Sequence, residues 1–305
     1  MSADAPPLLD RIHALLDAEA CAAHWSILID PTMHDPLEAL SLPLEHSLTV
    51  RRLPITRWPE SARPYLLAAT STRDAERLLS LSIELAYNEM RDGRARSLCA
   101  WLHTGADVDA LESTARHLAK AMLTRREGAG KSFMFRFYDP RLCADSARIL
   151  GAAGWSALAG PLCDKWWTPH PQQGAVKAGG QPSGAPLRPL PLSLSSNEYR
   201  ELTALGWVNR VLSTLPAWQL AAPPSTQLVR QVVNSAQAEG CDNDLELLAF
   251  AYASFAHHPD FHRHPLIQRA RTEEQTPYAT IVEQLSDDEW ARIRGWANAQ
   301  EHSPA

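Results

Sequence analysis

Residues 169–191 read PHPQQGAVKAGGQPSGAPLRPLP, and the nature of this stretch decides how the rest of the chain divides. It is dense in Pro, Gly, Gln and Ser and holds almost no large apolar side chains, the composition of an exposed, flexible linker. The patterns on its two sides differ. Upstream, short apolar runs rich in β-formers alternate with segments of helical period, whereas downstream nearly everything has helical period. The expected architecture is an α/β N-terminal lobe over 1–168, built as a mixed sheet flanked by helices. The 169–191 linker and an all-α lobe over 192–305 follow it. A length of 305 residues also exceeds the roughly 100–200 residues usual for one domain.

Working upstream, Leu8–Glu19 has the pattern of a short amphipathic helix, and Trp25-Ser-Ile-Leu-Ile-Asp30 is a buried strand stopped by Pro31. Ser47–Ile55 and Tyr65–Ala69 read as two more strands. From Ser71 the period becomes helical, with Leu78, Leu81, Leu85 and Met90 in one stripe and Gly93 to end it. Ser97–His103 returns to strand character, and Asp107 caps a second helix that runs to Met122. Phe133–Pro140 enters as an aromatic strand, Leu142–Leu150 as a short helix and Leu162–Thr168 as a last strand. Downstream, Ser195-x-x-Glu198 and Ser286-x-x-Glu289 have the spacing of capping boxes. Between them, helices are expected over Thr226–Glu239 and Asp242–His257.

Composition narrows the function. A formal charge of −6 argues against nucleic acid, because backbone binding needs a concentrated basic face. Apolar residues at 45% and charged residues at 21% belong to a chain that folds. Five scattered cysteines, Cys21, Cys99, Cys143, Cys163 and Cys241, fit reduced thiols better than a disulfide framework. No run nears the roughly 18 apolar residues of a membrane helix, and the first residues lack the pattern of a signal peptide. A cytoplasmic protein without membrane insertion is expected.

Four motifs tempt and fail. Gly128-Ala-Gly-Lys-Ser132 resembles the end of a phosphate loop, but Arg125 stands where the first glycine is needed, and the expected order of helix, turn and strand is the reverse of what a phosphate site requires. Gly154-Trp-Ser156-Ala-Leu158 lacks the second glycine of a nucleophile elbow, which leaves Ser156 as a polar loop residue. His257, His258, His262 and His264 crowd one segment, but Pro259 and Pro265 interrupt the helix that would align zinc ligands. Asp287-Asp288 sits at a helix start, where carboxylates favour the dipole. The expectation is no catalytic residue, no metal and no cofactor. Ten tryptophans are the more useful oddity, since Trp is enriched where proteins grip one another. Trp166 and Trp167 are adjacent, so on a strand they face opposite ways: if one is core the other belongs at an edge, a groove or the inter-lobe contact, and the equal alternative is that both are structural.

Phe135-Arg-Phe-Tyr-Asp-Pro-Arg141 resembles the signature strand of a bacterial family first catalogued as a domain of unknown function (DUF4123) and associated with type VI secretion effector adaptors. Trp25–Asp30 looks like that family's opening strand, Ser97–Leu102 its middle strand, and Gly160-Pro161 the turn before its closing strand. Phe255-Ala-His-His-Pro-Asp-Phe261 is similar to a weaker motif of the helical tail, from which its histidines depart. The resemblance covers most of residues 20–168 and the tail loosely. It implies a chaperone that captures the N-terminal segment of a toxic effector and delivers it to the spike protein VgrG, sometimes through a PAAR tip. It implies no reaction. A hydrolase with an unrecognised site and a self-assembling structural subunit are the competing classes.

Two roles are open for the motif's polar residues. Arg136 and Asp139, on alternate faces of a strand ending at Pro140, would fix that end by a buried ion pair or by hydrogen bonds to loop amides. Alternatively, Arg136, Tyr138, Asp139 and Arg141 line a groove between the lobes and bind effector backbone or carboxylates, with Trp166, Trp167 and Phe261 as apolar anchors.

Overall fold

The computed structural model describes residues 10, 12–14, 25–32, 34–41, 48–91, 96–104, 108–160, 166–170, 173–178, 188–218, 220 and 224–301. The chain divides into two compact units between Tyr199 and Arg200. Among the described residues the first contains nine strands: β1 (Trp25–Ile29), β2 (Leu48–Arg52), β3 (Tyr65–Ala69), β4 (Leu98–His103), β5 (Leu123–Arg126), β6 (Ser132–Met134), β7 (Trp166–His170), β8 (Gly174–Lys177) and β9 (Leu192–Leu194). Its helices are α1 (Leu37–Ser41), α2 (Thr72–Arg91), α3 (Val108–Ala121) and α4 (Cys143–Ala159).

Six strands form one sheet in the order β2-β3-β1-β4-β7-β8. Every pair in it is antiparallel. The mixed pairing expected from the sequence is found instead in a small second sheet, where β5 pairs antiparallel with β6 and parallel with β9. Register places Ile27 beside Leu67 and Trp101, and Trp101 beside Trp167. Side chains alternate along a strand, so these residues share one face. There they pack on Ala75, Leu78, Leu79, Ile83 and Ala86, the buried stripe of α2. Trp166 points the other way and meets Trp155 of α4 with ring centroids 5.5 Å apart. Helix α3 packs on β2, β3 and α4.

Three differences from the sequence expectation bear on the site. The aromatic strand ends at Met134, and 135–141 is irregular and turn-rich. Residues 137–140 are buried in succession, which an alternating strand would not give, and the Asp139 amide donates to the Arg136 carbonyl in a tight turn. Helix α4 runs nine residues beyond Leu150, bending at Gly151, whose φ of 64° leaves the helical region. Ser156 therefore lies in a helix, 4% exposed, not in a loop. Finally, the stretch opening the expected linker is sheet. Pro169 and His170 close β7, and β8 pairs with it from Gly174 to Lys177. Residues 171, 172 and 179–187 of that stretch, and most of the expected N-terminal helix, lie outside the described residues.

The second unit is helical. Helix α5 (Ser196–Thr214) enters it, followed by α6 (Thr226–Ala238), α7 (Asp244–Ala256), α8 (Pro265–Thr272), α9 (Tyr278–Gln284) and α10 (Asp287–Glu301). Both capping boxes form. Ser195 N donates to Glu198 Oε2 at 2.7 Å and Glu198 N to Ser195 Oγ at 3.2 Å. At α10, Ser286 N donates to Glu289 Oε2 at 2.9 Å. The core gathers Val229, Val233, Leu247, Phe250, Ile267, Tyr278 and Ile293. Glu246, buried in α7, accepts from Tyr278 N at 2.9 Å and Ala279 N at 3.1 Å, capping α9 from a distant helix. Among the described residues no helix is long and apolar enough to cross a membrane.

Candidate functional site

Asp30 directly follows β1, a central strand of the large sheet, and its carboxylate is the hub around which the 135–141 turn is built. Thr32 donates to Oδ1 twice, from its amide at 3.1 Å and its hydroxyl at 2.6 Å, in a local turn. Oδ2 accepts from Arg136 Nη2 and from the Tyr138 hydroxyl at 3.1 Å. Arg136 Nη2 also donates to Thr32 Oγ1 at 3.0 Å. An acid at a strand end is thereby locked to two residues more than a hundred positions away.

A second pair adjoins it. Arg141 grips Asp139 through Nε at 3.0 Å and Nη2 at 2.6 Å, a two-point geometry that fixes both side chains. The Arg141 amide also donates to Asp139 Oδ1 at 2.9 Å, and the Asp139 carbonyl accepts from Leu142 N and Cys143 N as α4 begins. One aspartate thus closes the turn and starts a helix. On the opposite flank, Glu89 at the end of α2 accepts from Ser97 N at 3.0 Å and Leu98 N at 3.2 Å, capping the start of β4.

These groups feel one another. Burial raises the Asp139 carboxyl, but Arg141 outweighs it and holds the group below the usual carboxylate range. Burial opposes the Arg136 charge and Asp30 overcomes it, so that guanidinium stays above its ordinary range. Burial, and next the Asp30 charge, push the Tyr138 phenol far up, so its hydroxyl remains a donor. Burial and the nearby Arg141 lower Arg96. The acids lie inside and the bases reach out. Asp30 and Asp139 side chains are 1% and 11% exposed, whereas Arg136 and Arg141 are 38% and 45% exposed. Solvent therefore meets guanidinium edges over a neutralised floor, a surface suited to a carboxylate or a backbone carbonyl.

The residues singled out from sequence fall into two groups. Arg136, Asp139 and Arg141 come together at this cluster. Tyr138 joins it through its hydroxyl, but its ring is fully buried against Phe137, so it has no surface to offer a partner. The expectation that one of the paired tryptophans lies at an edge or groove is corrected. Trp166 is 0% and Trp167 7% exposed, because the sheet is covered on both faces. Phe261 is likewise interior, packed on Phe250 and Tyr278 within the second unit. Sequence inspection missed Asp30 and Glu89 as site residues. Their only signal was a carboxylate next to an apolar strand.

The histidines of the second unit are dispersed into structural roles. His257 stacks on Trp290 at 3.9 Å and lies 3.0 Å from Arg294, while His264 Nδ1 accepts from Leu266 N at the start of α8. His258 Nδ1 accepts from Asp260 N. The glycines at 128 and 130 belong to the turn between β5 and β6. Cys99, Cys143 and Cys241 are buried and unpaired.

A family model described as Domain of unknown function (DUF4123) matches residues 28–157, under half of the chain. The match takes in Asp30, Glu89 and the whole 135–141 turn. No curated protein and no solved structure matches the chain.

Proposed function

We propose that this protein is a type VI secretion adaptor that holds the N-terminal segment of a cognate effector and passes it to the VgrG spike, in some systems through a PAAR tip. The motif resemblance over residues 20–168 and the family match over 28–157 overlap and share the 135–141 turn. The observation that carries the reading is the cationic outer face of the charge cluster, where Arg136 and Arg141 extend outward over buried aspartates. Guanidiniums anchored on buried carboxylates and partly exposed to solvent are well placed to grip carbonyls or carboxylates of a client chain. In this reading Arg136 and Arg141 touch the client, and Asp30, Tyr138 and Asp139 position them.

The test is to sequence the open reading frames flanking this gene and to co-express the chain with any large one found there. The effector is expected to be soluble and to co-purify only when this chain is present. Arg136→Lys with Arg141→Lys, which keeps the buried aspartates paired with a positive charge and removes the planar fork, should weaken capture by about tenfold or more. Turnover of a substrate by the purified chain alone, with no capture, would replace the adaptor by a hydrolase.

A further inference from the structure

The small sheet ends in an open edge, and beside it lies a groove of about 390 Å³ lined by Pro54–Trp58 on one wall, Ala119 and Leu123 at its floor, and β6 on the other. Among the described residues β6 pairs only with β5. Antiparallel residues alternate between bonding inward and outward. Thr124 faces Phe133, and Phe135 N donates to the Met122 carbonyl at 2.8 Å, so Phe133 and Phe135 direct their backbone groups at β5. Ser132 and Met134, both of which line the groove, consequently turn theirs away from β5, toward the open edge.

The charge of the rim identifies the occupant. Arg57 lines the groove and is exposed. Arg125 pairs with Ser132 and alternates with Leu123, which lines the floor and is 40% exposed, so Arg125 stands on the same face. Neither arginine has a carboxylate partner among the described residues, although every other arginine discussed above has an anionic or aromatic one close by. Arg57 is the charged residue of the groove lining itself; Arg125 stands beside the lining on its face of β5, and Glu127 follows the end of that strand. An apolar floor, outward-facing strand groups and two uncompensated guanidiniums together describe a seat for an extended acidic segment.

We propose that this groove takes an extended segment of a partner protein by adding it as a strand to β6, with apolar side chains on Leu123 and Met134 and carboxylates at Arg57 and Arg125. The inference rests on the adaptor reading and assigns it a second, separate contact surface. Two outward backbone positions set a short register, and the arginines select acidic over basic sequence.

The experiment uses the full chain and a labelled peptide, acetyl-Glu-Val-Glu-Val-Glu-Val-amide, with the Lys-Val counterpart as control. Saturable binding of the acidic peptide, with slowed amide exchange at Ser132 and Met134, is the expected result. Arg57→Glu with Arg125→Glu should weaken it by about tenfold or more. Ser132→Pro should do the same, because proline at the first residue of an edge strand removes an outward amide and leaves the β5 ladder intact. Absence of binding at millimolar peptide, or binding unchanged in both variants, overturns the proposal. So does self-association abolished by Ser132→Pro without peptide binding, which would give the edge to a second copy. The two readings fail separately. An effector that co-purifies equally with wild type and Ser132→Pro removes the groove and keeps the adaptor, and peptide binding with no effector captured does the reverse.

Discussion

Replacing Asp30 by asparagine keeps the shape of the hub and removes its charge, which isolates what the carboxylate does. Four donors converge on it: two from Thr32, one from Arg136 and one from Tyr138. A carboxamide offers one acceptor oxygen and turns two N–H donors toward the guanidinium. Removing one partner of a fully buried ion pair costs about 3–5 kcal/mol, but Arg136 is 38% exposed and can rehydrate, which reduces its share to about 1 kcal/mol. A buried donor left unmatched, whether the Tyr138 hydroxyl or the Thr32 amide, adds about 1–3 kcal/mol. The sum is about 3 kcal/mol, and for a unit of this size the melting transition should fall by about 6–12 °C. Tyr138→Phe alone leaves Asp30 with Arg136 and Thr32 and should cost about 1 kcal/mol. Because the two side chains share a bond, the double variant should fall short of additivity by about 1 kcal/mol. Urea unfolding supplies the energies, and amide exchange in β1 and β4 assigns the loss to the first unit. A cost for Asp30→Asn below about 0.5 kcal/mol, or strict additivity with Tyr138→Phe, would refute the hub as described.

Two further expectations test other parts of the fold. Gly160 ends α4 with φ at 61°, and a Cβ built there would lie 2.5 Å from His117 Nε2, whose ring is held 3.0 Å from the Leu158 carbonyl. Gly160→Ala should cost about 2 kcal/mol through backbone strain and this clash, with part recovered by adding His117→Ala, both read from urea unfolding. His257 has its pKa lowered by burial first and by Arg294 second, with Asp287 opposing. A depressed imidazole favours the native state when neutral, so its contribution is complete above the ordinary value of about 6.5 and is lost as pH falls through the native value. The His257 ring resonances should titrate below that ordinary value, and Arg294→Gln should raise the midpoint only part of the way, because burial remains. A midpoint at or above the ordinary value would contradict the packing of His257 on Trp290.

How much of this was legible depends on how local each signal was. The capping boxes at Ser195 and Ser286 are written within a few residues and form as read, whereas the stripe of α2 is rotated from the one expected: Leu78 is shared, Leu79, Ile83 and Ala86 are buried, and Leu81, Leu85 and Met90 are only partly covered. Strands β5, β8 and β9 have three or four residues each, too few for alternation to stand out, and β5 carries Thr124-Arg-Arg126, which reads as a helix end. The 135–141 run misled in a different way. Its aromatic density mimics strand propensity, but a turn needs apolar cover too, and here the turn is the buried element. The cluster itself splits along the same line. Its arginines were visible as charges in an apolar run, whereas Asp30 and Glu89 acquire meaning only from partners brought in by the sheet.

That split has a consequence for mutation. The buried acids hold the 135–141 turn to the sheet, so changing them must alter stability. The arginines they neutralise reach solvent at more than a third of their side-chain surface and can meet whatever docks there, but truncating one strands a buried aspartate, so Arg→Lys, which keeps the charge and loses the planar fork, is the change that acts mainly on the surface. Loss of client capture in an arginine variant whose unfolding is unchanged would therefore report on the surface itself. The same loss in an Asp30, Tyr138, Trp166 or Trp167 variant would report first on the fold, since each of these side chains is nine-tenths or more buried.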